Sequence, residues 1–424
     1  MSQTPKHLQP ARSVLHFVGA EIRRLRVDLG MSQADLGSAL FVHKDLIRKI
    51  ESAERMPTDD LVDQCDRILA ADGELRRLLP MLRRERALRV ARDTNKMPAR
   101  FRAEATDRPV LDWLLSSGHD ARWAQEGEED TMVNRLRRLR GTDHRHGAAS
   151  TYPDLADALT QLGDMTDRAP QLATGYLELA GYEAVDLGAD GLAQQHYLRA
   201  LAVTIRSGDR LYGGYLIAVS LAHLALHCGD ADQAARLAAA ALSGIEHAGT
   251  PAVRAACRAV LARAHARRGD EAACVAALLQ AEADLARSRP GAEPAWIGYF
   301  GEADLADEKA HCFFDLGLHE LAQREATRAV ALVGPQRVRR LAIDTSLYAT
   351  SLARSRQIEQ ACVSARQAID LASAVASFRS AHRIVLMLAE LQPHHDRSDV
   401  RAVNEYAHTR LPVLFSPAPA VPLP

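Results

Sequence analysis

Fifteen positions carry small residues at three fixed offsets from five anchors, and no other feature restricts the fold of this chain so tightly. The anchors are Gly188, Gly229, Gly269, Gly317 and Arg356. Seven residues before them stand Gly181, Ala222, Ala262, Ala310 and Ala349. Five after come Ala193, Ala234, Cys274, Ala322 and Ala361, and twelve after come Ala200, Ala241, Ala281, Ala329 and Ala368. Small residues at those points let two antiparallel helices joined at the anchor approach closely and stack on the next pair. The pattern predicts an all-α chain whose larger part is an α-solenoid. Anchor spacings are 41, 40, 48 and 39 residues, and the long gap places an insertion around Arg289–Phe300, "RPGAEPAWIGYF".

On these residues the array resembles the tetratricopeptide (TPR) repeat, with a period longer than that family's 34 residues. Its expected extent is 151–392, with an atypical first repeat in "YPDLADALTQLGDM". The resemblance implies that the first helix of each pair lines a concave groove. Its lining would be Glu178, Tyr182 and Asp186, then His223, Leu226 and His227, then Arg263 and Arg267. Asp304, Asp307, His311, Phe314, Asp315 and Arg354 would follow. Such a banded polar surface suits an extended peptide or a small polar effector, with Arg263 and Arg267 as seats for a carboxylate. The opposing reading is a self-paired face, for instance Arg267 with Asp307.

Charge divides the chain unevenly. Formal net charge is −1, yet residues 1–105 hold 20 Lys+Arg against 15 Asp+Glu. A small basic head on an acidic body fits a polyanion-binding module. Within that head, apolar residues recur at helical spacing from Phe17 through Val18, Ile22, Leu25 and Leu29. Gly30 reads as a C-cap and Ser32 as the next N-cap. Leu36, small Gly37 and Leu40 mark a second helix, and Leu46, Ile47 and Ile50 a third that begins near Lys44. A fourth follows Pro57-Thr58, with Leu61, Val62, Cys65 and Ile68 inward.

The stretch from Ile22 to Leu61, "IRRLRVDLGMSQADLGSALFVHKDLIRKIESAERMPTDDL", resembles the XRE, or phage-repressor-like, helix-turn-helix family. Ser32-Gln33, the Leu36/Gly37/Leu40 spacing, Ile47/Ile50/Glu51 and Arg55-Met56-Pro57 carry the likeness. It implies that Gln33 braces the phosphate backbone and that the helix from Lys44 enters the major groove. Amides and helix N-termini such as those at Ser32 and Gln33 suit phosphate oxygens. Opposite Ile47 and Ile50 lie His43, Lys44, Asp45 and Arg48. Lys44 and Arg48 suit guanine O6/N7, and Asp45 suits cytosine N4. Lys49 and Arg26 are expected at phosphates. Two turn positions depart from the family's glycine, Phe41 and Ala53. A left-handed conformation would cost each about 1–2 kcal/mol, or the first turn would relax with Phe41 packed over the helix pair.

The head is expected at 14–80 and a basic helical connector with flexible joints at 81–150. In the connector, Arg83, Arg84, Arg86, Arg89 and Arg92 either extend phosphate contact or form a solvated linker, and "GTDHRHGAAS" reads as a joint. "SPAPAVPLP" predicts a disordered proline-rich tail at 411–424. The N-terminus lacks the apolar run of a secretory signal, no stretch has the apolar length of a membrane span, and six cysteines stand singly without a C-x-x-C pair. A reducing cytoplasm is the expected home. His223 and His227 share a helix face but no third ligand is evident, so no metal is expected, and no cofactor. "RGD" at Arg268–Asp270 is read as a turn. With no nucleophile elbow, Walker loop or dinucleotide fingerprint, an enzyme is not expected.

Head plus solenoid resembles the cytoplasmic XRE-TPR regulators common in actinobacteria and, by architecture, bacterial peptide-pheromone receptors. The resemblance implies a homodimeric transcriptional regulator of double-stranded operator DNA, switched by an effector in the groove. A different class, a TPR adaptor whose head no longer reads sequence, is the alternative.

Overall fold

The computed structural model describes residues 13–94, 100–116, 131–163, 165–289, 291–375 and 377–411, and among them there is no strand. Of the expected proline-rich tail, all but Leu411 lies outside the described residues.

The head is built from α1 (Val14–Asp28), α2 (Gln33–Ala39), α3 (Lys44–Glu51) and α4 (Asp59–Ile68). Its core gathers Val18, Ile22, Leu36, Leu40, Ile47, Ile50, Leu61, Val62 and Cys65, the residues set inward by the helical period. Each helix begins at a side-chain cap: Ser13, Ser32, His43 and Thr58 accept from backbone N–H groups one turn in, which satisfies donors the helix cannot.

A fifth helix, α5 (Leu79–Thr94), joins head to body. Its Leu79 and Leu82 belong to the head core, whereas Ala87 is fully buried in the core of the array. The expected boundary at residues 80 and 81 therefore falls inside one helix shared by both halves. The connector arginines do not form a free basic surface. Arg83 and Arg86 both bind Asp59, at 2.6 and 3.1 Å, and Arg86 also reaches the Pro57 carbonyl. Arg89 pairs with Glu85. Arg84 donates to the Leu187 carbonyl at 3.0 Å and lies over the Phe378 ring. The side chain of Arg92 lies outside the described residues.

After α6 (Asp107–Leu115), helices stack in antiparallel pairs. The first is α7 (Thr131–His146) with α8 (Ala148–Thr160). A short turn, α9 (Met165–Arg168), leads to α10 (Pro170–Leu187) and α11 (Asp190–Ser207). The next pair sets α12 (Arg210–Tyr215), a π-helical turn over Leu216–Leu221 and α13 (Ala222–His227) against α14 (Ala231–Gly244). Then come α15 (Pro251–Arg267) with α16 (Glu271–Leu285), α17 (Glu302–Asp315) with α18 (His319–Leu332), and α19 (Val338–Arg354) with α20 (Ile358–Ala374). The array runs on past residue 392, through α21 (Phe378–Leu391) and α22 (Ser398–Arg410).

All five anchors have left-handed backbone: φ is 75°, 86°, 75° and 76° at the four glycines and 60° at Arg356. Every one of the fifteen small residues is buried. At Gly181 the fit is tight, since a Cβ there would lie 2.3 Å from the Tyr197 ring. The expected joint at Gly141–Ser150 is instead the end of α7 and the start of α8, broken only at Gly147 (φ 82°). Ala148 and Ala149 pack in the array core and Asp143 is wholly buried, because an arginine far along the chain holds Asp143 in place.

That residue is Arg339, at the start of α19. It donates to both oxygens of Asp143 (2.8 and 2.6 Å), to Asp186 of α10 (3.0 Å) and to the Tyr182 hydroxyl (3.0 Å). The sixth pair is thereby tied to the first and second. From α21, Arg379 and Ser377 reach the same Asp186 at 3.2 and 2.5 Å.

Gly181→Ala should destabilise the chain by about 1–3 kcal/mol, because its methyl meets the Tyr197 ring; urea unfolding reads the loss.

Candidate nucleic-acid interface and the interior of the array

The head's three core helices are set by one buried carboxylate. Glu51, at the end of α3, has no exposed surface and receives Arg26 of α1 in a two-point contact of 2.6 and 2.9 Å. Gln33 of α2 donates to it as well, at 2.7 Å. Arg26 also binds the Met31 carbonyl at 2.7 Å. Hydrogen bonding to Glu51 holds the Arg26 guanidinium even more firmly protonated than usual. Arg26, expected at a phosphate, is thus a buried internal partner. Its position one helical turn before Gly30 resembles a surface site, but Glu51 draws it inward. Gln33 has one amide N–H committed to the same carboxylate, so any phosphate contact falls to what remains of its amide.

The other expected residues stand outward. Ser32 caps α2 by accepting from the Asp35 amide, while Asp35 accepts from the Ser32 amide. His43 caps α3 through Nδ1, 3.3 Å from the Asp45 amide. Lys44, Asp45, Arg48 and Lys49 are all exposed. Arg48 lies 3.6 Å from Glu54, a solvent-exposed pair worth little. Lys44 and Lys49 have no ion-pair partner among the described residues, so two cations on α3 face solvent with their charge uncompensated.

Phe41 does not relax the turn. Its φ is 55° and it is 97% exposed, so it does not pack over the helix pair. Ala53 likewise keeps φ at 57°. The turn geometry of a glycine is therefore retained without one, because the Val42 amide bonds to the Gly37 carbonyl at 2.8 Å and fixes the chain on both sides.

Residues 18–79 match the family described as the helix-turn-helix domain. No curated protein matches the chain. The helix-turn-helix domain so delimited ends where α5 begins, and it brings with it the expectation of DNA binding. Among the described residues no helix is long and apolar enough to cross a membrane.

The expected groove residues come together as a largely self-paired face that solvent still reaches: Glu178, Tyr182, His223 and Arg263 are half-buried, and His227, Arg267 and Arg354 are exposed. Glu178 binds Arg140 at 3.1 Å. Tyr182 and Asp186 surround Arg339 and Arg379 as described above. His223 lies 3.1 Å from Glu308, which Arg263 also binds at 2.9 Å. Burial pushes the Glu308 carboxyl up, but His223 and Arg263 outweigh it and hold it far below the usual range. His227 faces a different carboxylate, Asp190, at 3.5 Å. Asp307 is shared by Arg340 (3.0 Å) and His311 (3.4 Å). Burial, followed by the charge of Arg263, drives the His311 imidazole well below its ordinary range. Arg267 meets Asp315 at 3.5 Å, not Asp307. Phe314 packs beside His319, and Arg354 pairs with Glu390.

The self-paired reading of the expected groove face is the one these contacts favour, on a face that remains partly exposed. Arg339, Arg340 and Asp143 supply much of the pairing, and none of them stood at a position that the repeat pattern assigns to the lining. The insertion packs on the array: Trp296 stacks on Tyr212 with centroids 4.3 Å apart, and the hydroxyls of Tyr299 and Tyr215 are 2.8 Å apart.

Two stability measurements check the head. Glu51→Ala leaves Arg26 buried and uncompensated, and should cost about 3–5 kcal/mol. Phe41→Gly removes left-handed strain and no packing, and should stabilise the head by about 0.5–1 kcal/mol net of glycine's unfolded-state entropy; a fall in melting temperature would show that Phe41 is packed in solution.

Proposed function

We propose that this chain is a sequence-specific transcriptional regulator that reads DNA with α3. The observation that carries the reading is the exposed polar face of Lys44, Asp45, Arg48 and Lys49 on a helix locked in place by the Glu51 hub. Lys44 and Arg48 donate to guanine edges, Asp45 accepts from cytosine, and Lys49 and His43 flank them at phosphates and edges. The head is of the XRE type. Two copies form a homodimer in the cytoplasm and read half-sites about one helical turn apart. The helix pairs form a TPR array that takes a small effector or a protein partner and acts without cofactor and without catalysis. Because the array interior is self-paired, a ligand there acts by exchanging internal contacts for its own, which gives it different affinity for two states of the array.

Binding-site selection from random duplexes, followed by a mobility-shift assay, tests the reading. Wild-type protein should enrich one motif. Lys44→Ala and Arg48→Ala should each weaken binding to it by at least about tenfold, with unchanged helicity and melting temperature, since both side chains are exposed. Recovery of no motif, with only salt-sensitive binding, would favour the adaptor alternative.

A further inference from the structure

The second helices of the pairs turn one side to solvent, and on α8, α11, α14, α18 and α20 that side carries charge. Asp157, Arg199, Arg236, Arg324 and Arg366 stand exposed near the middle of those helices, as a solvated face requires. On α16 the pattern breaks: between Ala272 and Leu285 no charged residue is exposed. Leu279 stands at the centre of this side, 60% exposed, and Val275, one turn earlier, is 37% exposed. Ala272, Ala276 and Ala283 are exposed around them. Glu282, at the edge, is half-buried and bound by Lys309 at 2.8 Å.

The face repeats itself about Leu279. Val275 and Ala283 lie four residues to either side, Ala272 and Ala286 seven, and acidic Glu271 and basic Arg287 eight. Offsets of four and seven fall on the same side of a helix as its centre. A two-fold axis through Leu279 therefore lays an antiparallel copy of α16 with Leu279 on Leu279 and the flanking apolar residues level with one another. It also sets the acidic end of each copy level with the basic end of the other. Glu271 is exposed and has no ion-pair partner among the described residues. At the opposite end the buried carboxylate of Asp284 serves three guanidinium groups, those of Arg254, Arg258 and Arg287, which leaves positive charge in excess there.

We propose that the outward face of α16 is where two copies of this chain meet, antiparallel about Leu279. A face made for an unlike partner has no reason to repeat itself about its own centre. The proposal locates the homodimer contact of the reading above and rests on that part of it. Fifteen residues of helix cover less than the about 800 Å² per partner of a standard stable complex, so the pair is weak and assembles with concentration.

Sedimentation equilibrium of the full chain across micromolar concentrations tests it. Wild type should pass from monomer to dimer. Leu279→Asp sets a carboxylate on the axis against its own copy and should raise the dimer dissociation constant at least about a hundredfold, with the melting temperature of dilute protein unchanged. Val363→Asp, at a position of α20 that is 59% exposed, should dimerise as wild type does. In a Cys228→Ser background, which removes the one exposed cysteine among the described residues, a short bismaleimide should join Leu279→Cys chains in pairs and leave Val363→Cys chains single. The proposal is overturned if wild type stays monomeric, if Leu279→Asp dimerises like wild type, or if Leu279→Cys chains fail to couple, whether or not Leu279→Asp folds. Dimerisation of Leu279→Asp would keep the homodimer and move it to another face, whereas a monomeric wild type would remove it. Motif selection from random duplexes decides the DNA-reading role separately from all these outcomes.

Discussion

Arg339 decides what the inside of this molecule is. A row of stacked helix pairs, left to its small residues alone, can coil with any of several curvatures. The guanidinium of Arg339 selects one by binding Asp143, Asp186 and Tyr182 together, from helices more than 150 residues earlier in the chain. Asp186 then also receives Ser377 and Arg379. A buried pair of this kind adds little net stability, because desolvation offsets most of the attraction, yet losing one partner is severe. Its effect here is geometric. With the ends drawn together, the polar faces of the intermediate helices meet one another and neutralise.

The head follows the same logic at smaller scale. Glu51 gathers Arg26 and Gln33 from two neighbouring helices and leaves the outer face of α3 free of internal obligations. Cations committed inward and cations left outward are thereby separated: Arg26 belongs to the fold, and Lys44 and Lys49 face solvent. The exposed side of α3 can be polar because its other side, with Ile47 and Ile50, already fills the core.

Much of this was legible in the residues. The periodic small positions located five turns and fifteen contacts, and Arg356 proved to adopt the left-handed backbone of the glycines it stands among, held there by the helix pair around it. Caps and apolar spacing placed the four helices of the head. What escaped were interactions between residues distant in sequence. Arg26 read as a phosphate contact because nothing local shows that Glu51 turns toward it. The partners of the groove residues escaped because ridge spacing fixes which residues share a face, while curvature fixes what that face meets. Gly141–Ser150 read as a joint from its glycines and histidines, although Asp143 within it is a principal partner of Arg339.

The shared helix α5 bears on inheritance. Leu82 and Ala87 lie five residues apart on it, one in the core of the helix-turn-helix domain and the other in the core of the array. Arg77 beside it reaches the Thr409 carbonyl near the far end of the chain. A recombination event that exchanged heads at the edge of the matched domain would therefore sever a common helix and leave each half with the wrong complement. The heritable unit is larger than the segment that matches a family, and head and array are expected to have diverged together.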